Sequence, residues 1–296
     1  MKEVLIFAGE SLETKEIVQC LIQKHFKITI FTFNKFHDVS AFVGMSPLQV
    51  NVVVLKIANY YNWKHELHKF DVIINLVKIT DFPKENIRVV FENFTLAFGH
   101  AVKNLGKTVI YLSNVCNEFY YHKTVENAET AMLSQCDDII YIKYGFVINS
   151  QSKLLTDLLN AKFLFLSSNV LNASMQVTMM CDISQTIAKI ALNGSLKNLI
   201  TIGAESYSLK DIINLTNAKK RKKFIVKIPH FFLMTFAKML QILPQRFYYT
   251  FYNYKMLANA VYVGQNKFKF DATSSYTLLA KIVDRHSKNL FSPEIE

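Results

Sequence analysis

The residues after the first apolar run have the spacing of a phosphate cradle, but not its composition. Val4-Leu5-Ile6-Phe7 has the pattern of a buried strand, and Ala8-Gly9-Glu10-Ser11-Leu12-Glu13-Thr14 follows it as a tight turn and helix start. In a G-x-x-G-x-x-G turn the glycines permit a sharp bend, let backbone N–H groups approach a pyrophosphate and let the helix pack closely on the strand. Here Ala8, Ser11 and Thr14 hold those places, and Gly9 is the glycine that remains. Gly9, Ser11 and Leu12 are the residues that would line a pyrophosphate. Glu10, Glu13 and Glu16 put carboxylates around a helix N-terminus whose partial positive charge otherwise favours phosphate. The segment therefore predicts a dinucleotide fold in which binding of NADP(H) or NAD(H) is weak or lost.

Other chemistry finds less support. Of the histidines only His65 and His68 lie close together, without the Glu or Cys spacing of a zinc site. The four cysteines, Cys20, Cys116, Cys136 and Cys181, are scattered with no C-x-x-C pair, which argues for buried, reduced thiols and no metal.

The elements that must position such a turn alternate through the first half of the chain. Strands are expected at Val4 to Phe7, Ile28 to Phe33, Val50 to Leu55, residues 72–77, Thr108 to Leu112 and Asp138 to Ile142. Helices are expected at Thr14 to Lys24, near Trp63 to His68, at Asn86 to Leu105 and over 121–134. Gly106 is expected to stop the long helix in the C′ position. The pattern predicts an α/β, Rossmann-type doubly wound parallel sheet with right-handed crossovers. Beyond about residue 143 the alternation loosens into helices at Ser152 to Leu159 and Asp182 to Leu192, strands at Phe163 to Leu166, Asn198 to Ile202 and Phe224 to Lys227, and a capped helix start at Ser208. The expected organisation is a Rossmann-like NAD(P)-binding-type core over 1–145, a smaller α/β lobe interleaved with it over 146–265, and a tail over 266–296.

With 296 residues, 51% of them hydrophobic, the chain has enough apolar surface for a large core. Eight glycines and five prolines are few, so turns must rely on Asn, Asp, Ser and Lys. The formal net charge of +11 implies an anionic neighbour. No RNP, helix-turn-helix or finger pattern accompanies that charge, so nucleic acid is not the expected partner. Lys219-Lys220-Arg221-Lys222-Lys223 has the look of a nuclear-import or nucleic-acid patch, with a solvated basic turn the favoured reading. The sequence opens on its first strand, without a basic n-region or apolar signal core, and no cleaved address is expected within it.

The order of motifs carries a resemblance. Val72-Ile73-Ile74-Asn75-Leu76-Val77, Leu112-Ser113-Asn114, Tyr120-Tyr121 and Lys143-Tyr144-Gly145 follow the phosphate turn in sequence. Val177 to Ser184 around Asp182, Tyr207-Ser208-Leu209-Lys210-Asp211, Ile242-Leu243-Pro244 and Ala258-Asn259-Ala260-Val261 come later. In these the chain resembles the atypical short-chain dehydrogenase superfamily, of the NAD-dependent epimerase/dehydratase kind. Within it the chain is most similar to the nucleotide-binding accessory subunit of respiratory complex I and its bacterial relatives. The resemblance implies an accessory or assembly role among the subunits of the respiratory NADH dehydrogenase. It also implies a peripheral position, on the cytoplasmic face of a bacterial inner membrane or the matrix side of the mitochondrial one.

Departures from the superfamily pattern weigh against catalysis. Its enzymes use a Tyr and a Lys four residues later, the lysine lowering the tyrosine pKa for proton exchange. Tyr120 is followed at that spacing by Thr124, Tyr121 by Val125, and Lys123 follows Phe119. Ser113 stands where the superfamily's serine contacts substrate or cofactor, or else it bonds backbone. Phe33-Asn34 ends the second strand, so Asn34 replaces an acidic ribose ligand, and Val77-Lys78 brings a side chain beside the ribose position. No catalytic residue is assigned. The alternatives are an NAD(P)-dependent epimerase or oxidoreductase using Tyr120 or His122, and an NADP(H)-sensing protein.

Residues 229–255 offer a different kind of surface. Thr235, Lys238 and Gln241 form a narrow polar stripe on an otherwise apolar helix, too short and too interrupted to span a bilayer. Aromatic residues crowd the segment that follows. Phe231, Phe232, Phe236, Tyr248 and Phe251 are the candidates for docking on an acidic membrane face or a hydrophobic partner, with burial in the second lobe as the alternative.

Overall fold

The computed structural model describes residues 1–9, 11–33, 49–55, 63–82, 86–114, 122–136, 138–148, 163–166, 168–172, 174–194, 200–202, 206–217, 224–229 and 231–232. The chain divides into two compact units, Met1–Asn114 with Tyr120–Tyr144 and Met180–Ile202, and Val115–Phe119 with Gly145–Met179 and Gly203–Glu296.

The first unit is built on strands whose apolar runs have no polar face. In β1 (Glu3–Phe7) every residue from Val4 to Phe7 is fully buried, as a strand covered on both sides must be. It pairs in parallel with β2 (Lys27–Thr32) and β4 (Val72–Asn75). β3 (Val50–Val54), β5 (Thr108–Asn114), β6 (Ile139–Tyr144) and β10 (Ile200–Ile202) complete a seven-stranded parallel sheet in the order β10-β6-β5-β4-β1-β2-β3. The six strands 3-2-1-4-5-6 within it are the Rossmann-type arrangement expected from the alternation.

Leu5, Phe7, Ile73, Val109, Tyr111, Ile139 and Tyr141 form one core with α2 (Ile87–Val102) and α3 (His122–Leu133). Phe7 sits at its centre, with Trp63, Phe31 and Phe98 rings 4.9, 5.5 and 5.6 Å away in edge-to-face geometry. The alternate residues Val4, Ile6, Ile74, Ile110 and Ile142 are equally buried, and α1 (Leu12–Gln23) packs on α5 (Met180–Asn193). A short helical turn at Leu67–Lys69 precedes β4, and another at Ile79–Asp81 follows it.

Helix ends show how a glycine-poor chain turns. His25 takes φ +62 after α1, while the His25 and Phe26 amides donate to the Ile22 and Leu21 carbonyls at 2.9 and 3.2 Å, a Schellman arrangement. Gly106 has φ +66, but α2 ends four residues earlier, so the left-handed C′ place belongs to Asn104 at φ +58. An asparagine does there what was expected of the glycine, because its short polar side chain tolerates that conformation.

In the second unit β7 (Phe146–Ile148), β9 (Ser174–Met179) and β11 (Ser206–Ser208) make a three-stranded sheet in the order β11-β9-β7. β8 (Phe163–Leu166) and β12 (Phe224–Lys227) pair in parallel. A single helical turn, α4 (Ser168–Leu171), follows β8. Ser208 caps α6 (Leu209–Asn217) as its sequence implies: the Asp211 amide donates to Ser208 Oγ at 3.2 Å, and the Ser208 amide to Asp211 Oδ2 at 2.9 Å. The helix expected at Ser152 to Leu159 lies outside the described residues.

Candidate nucleotide site

In an open parallel sheet the ligand crevice lies at the carboxyl ends of the strands where the winding direction reverses. Here that point falls between β1 and β4. The Leu76 amide donates to the Phe7 carbonyl at 2.8 Å, so the chain leaving β4 runs alongside the turn that leaves β1.

The substituted glycine positions hold the turn together. Ser11 is the N-cap of α1, with extended backbone and its Oγ accepting from the Thr14 amide at 3.2 Å. Thr14 is buried; its Oγ1 lies 2.9 Å from Ser11 Oγ and donates to the Gly9 carbonyl at 3.0 Å. Two hydroxyls thus fix what glycine would leave open. Leu12 begins the helix, and Val77 is buried with its amide donating to Asn75 Oδ1 at 3.1 Å. The Nδ2 of that buried asparagine has no hydrogen-bond partner.

The anion at this turn belongs to the chain itself. The Asp81 carboxylate accepts from the Lys78 amide at 2.8 Å through Oδ2 and lies against Gly9. It lies so close that a Cβ on Gly9 would stand 2.3 Å from Asp81 Oδ1. This close approach, rather than a left-handed φ, is what requires glycine at position 9. Beside it Lys78 Nζ donates to Glu13 Oε2 in the first turn of α1, with both side chains about four-fifths covered. Burial pushes the Asp81 carboxyl above the usual aspartate range. The Lys78 amide and charge pull it down, Glu13 adds to the rise, and the Gly9 amide opposes it. Glu16, on the same helix, is also raised, by burial first and Glu13 second.

A second cluster closes the ends of β5 and β6. Ser113 pairs in register with Lys143, and Tyr111 with Tyr141. The Ser113 hydroxyl donates to Glu129 Oε2 at 2.9 Å, and the Tyr141 hydroxyl donates to the same oxygen. Glu129 itself is only 6% exposed. Burial raises the Glu129 carboxyl, while the hydroxyl bonds and the Lys143 charge oppose the rise. Ser113 therefore bonds a side chain rather than backbone. Lys143 Nζ lies 5.4 Å from the Tyr141 ring centroid, yet burial and Glu129 drive the Tyr141 phenol strongly upward. That is the opposite of what a proton-exchanging Tyr–Lys pair needs.

The register where that pair was sought supplies none among the described residues: Lys123 is exposed, and Val125 packs against the aromatic core. Tyr120, Tyr121 and Asn34 lie outside the described residues, as do the docking candidates Phe236, Tyr248 and Phe251 and the basic run 219–223. Phe231 and Phe232 are 74% and 63% exposed, their rings 6.0 Å apart. No helix among the described residues is long and apolar enough to cross a membrane. Cys136 is buried as expected, but Cys181 is solvent-exposed overall; partial desolvation of its thiol, and then the Asp182 charge, pushes it up to about 11.

Asp81 and Glu129 escaped the sequence reading. Asp81 had a signal, an acid three residues after Lys78 where a short helical turn begins. Glu129 had a weaker one, a lone acid on the apolar side of a helix.

No family model matches the chain, and no curated protein matches it either. Solved structures do. A nucleoside-diphosphate-sugar epimerase from Staphylococcus aureus is similar at a TM-score of 0.65 and 15% identity, over 95% of each chain. A dTDP-glucose 4,6-dehydratase from Bacillus anthracis in complex with NAD is similar at 0.62 and 15%, over 77% of this chain and 84% of that one. A UDP-glucose 4-epimerase from Thermus thermophilus in complex with NAD gives 0.56 and 10%, over 77% and 86%. At such identities the likeness is one of fold: the chain has the Rossmann-type architecture of NAD-dependent epimerases and dehydratases.

Proposed function

We propose that this chain is a non-catalytic protein with the extended short-chain dehydrogenase fold, acting through its surfaces rather than through hydride transfer. One observation carries the reading: the Asp81 carboxylate is packed against Gly9, in the turn ahead of α1 across which a coenzyme pyrophosphate would have to lie. The residues present do not fit the coenzyme. Within this reading the chain serves as an accessory or assembly subunit of the respiratory NADH:ubiquinone oxidoreductase, held at an acidic membrane face or against partner subunits by Phe231, Phe232 and the aromatic segment after them. The motif order from Val72 to Asp211 supports that assignment. Calorimetry of the purified chain with NADH and NADPH tests the coarse reading, with no saturable heat expected and nanomolar affinity its refutation. Native gels of the tagged chain test the finer one, which requires comigration with NADH dehydrogenase activity at high mass.

The similar structures favour a second reading. They are epimerases and dehydratases, several solved with NAD, and they lend support to an NAD(P)-dependent epimerase or oxidoreductase, or to an NADP(H)-sensing protein. The unpaired Nδ2 of Asn75 at the end of β4 is a donor that such a ligand could use. This reading requires the Asp81 carboxylate to move away from Gly9, and, for turnover, an acid outside the Tyr–Lys register.

A further inference from the structure

We infer that Asp81 and Lys78 form an autoinhibitory double stitch across the crevice, in which the Asp81 carboxylate stands in for a ligand phosphate and keeps the site closed to phosphorylated ligands. The inference rests on the proposal that the seat is filled, and adds that the fold beneath remains competent once the stitch is cut. Both stitches run from the segment after β4 to the turn after β1. One is the carboxylate of Asp81 packed against Gly9; the other is the ammonium of Lys78 on the Glu13 carboxylate. The Asp81 group is itself positioned, since its Oδ2 takes the Lys78 amide at 2.8 Å while the Asp81 amide returns to the Lys78 carbonyl at 3.0 Å. A carboxylate so placed offers the turn what a phosphate oxygen offers: negative charge at the positive end of a helix and an acceptor for a backbone N–H.

Gly9 reinforces the argument, because the carboxylate lies so close to it that a Cβ there would fall 2.3 Å from Asp81 Oδ1. Lys78 is the cation such an anion would recruit, and Glu13 holds it. Cutting the first stitch removes a competing charge and opens the gap together. The ligand class is a diphosphate, recognised by a helix N-terminus flanked by one lysine.

The test is calorimetry of the full chain, as wild type, Asp81→Gly and Asp81→Asn, with inorganic pyrophosphate, NADH and NADPH as probes and far-UV circular dichroism to confirm folding. Asp81→Gly is expected to bind pyrophosphate and at least one coenzyme about tenfold or more tighter than wild type, the scale of one charged hydrogen bond. Asp81→Asn, which preserves the shape of the turn and removes the charge, is expected to fall between them, and it decides the matter if the glycine variant does not fold. Folded variants that bind no better than a silent wild type overturn the double stitch and leave the non-catalytic reading standing. A wild type that already binds coenzyme tightly overturns both.

Discussion

Glycine at position 9 packs against the Asp81 carboxylate, whose Oδ1 would lie 2.3 Å from a Cβ placed there. Gly9→Ala is expected to cost about 1–3 kcal/mol by overpacking. The same substitution placed on Asp81→Gly is expected to cost much less, and the non-additivity, read from urea unfolding of the two single variants and the double, measures the contact. Glu129 makes a second prediction at this scale. Removing it in Glu129→Ala leaves the Ser113 and Tyr141 hydroxyls unpaired in the core, at about 3 kcal/mol or more. Glu129→Gln keeps an acceptor and no charge, and is expected to fold close to wild type. Because burial raises the folded-state pKa of Glu129, stability is full below the ordinary glutamate range and falls as pH climbs from there through the raised value. Glu16, Asp81 and Asp182 are raised in the same sense, so the contribution of Glu129 is the part of the slope that Glu129→Gln abolishes.

Among elements, the strands and the Ser208 cap were legible and the C-terminal ends of helices were not. β4 and β5 announce themselves as short β-branched runs, and any other placement would expose them. The stop of α2 was assigned to Gly106 because glycine is the usual left-handed residue, while Asn104 holds the conformation two residues earlier. The same blind spot covers His25, whose left-handed backbone nothing in its residue type announces. His25→Gly is expected to raise stability by about 1 kcal/mol, since it removes the Cβ penalty without touching the Schellman bonds, and thermal unfolding would show it. The site was legible to the same degree. The loss of glycine at Ser11 and Thr14 could be read from spacing, but their hydroxyl bonds needed coordinates. The meeting of Asp81 with Gly9 joins residues of different strands, and only the order β4-β1 in the sheet brings them together.

At the level of the whole molecule, the basic charge and the exposed Phe231 and Phe232 belong to one prediction. The chain is expected to float with anionic vesicles and not with neutral ones, and Phe231→Ala with Phe232→Ala to reduce that recovery several-fold, because charge steers the encounter and apolar area holds it. Flotation unchanged by the substitutions would reassign these rings. A different consequence comes from the other end of the chain. The Lys2 ammonium donates to the Ala191 and Leu192 carbonyls at 3.1 and 2.8 Å, closing the C-terminal end of α5. The first unit is therefore sewn shut by a bond between residues 189 positions apart. During synthesis β1 can pair with β2 and β4 early, but the packing of α1 on α5 must wait until residues 180–193 have left the ribosome, and reliance on chaperones over that interval is the expected consequence.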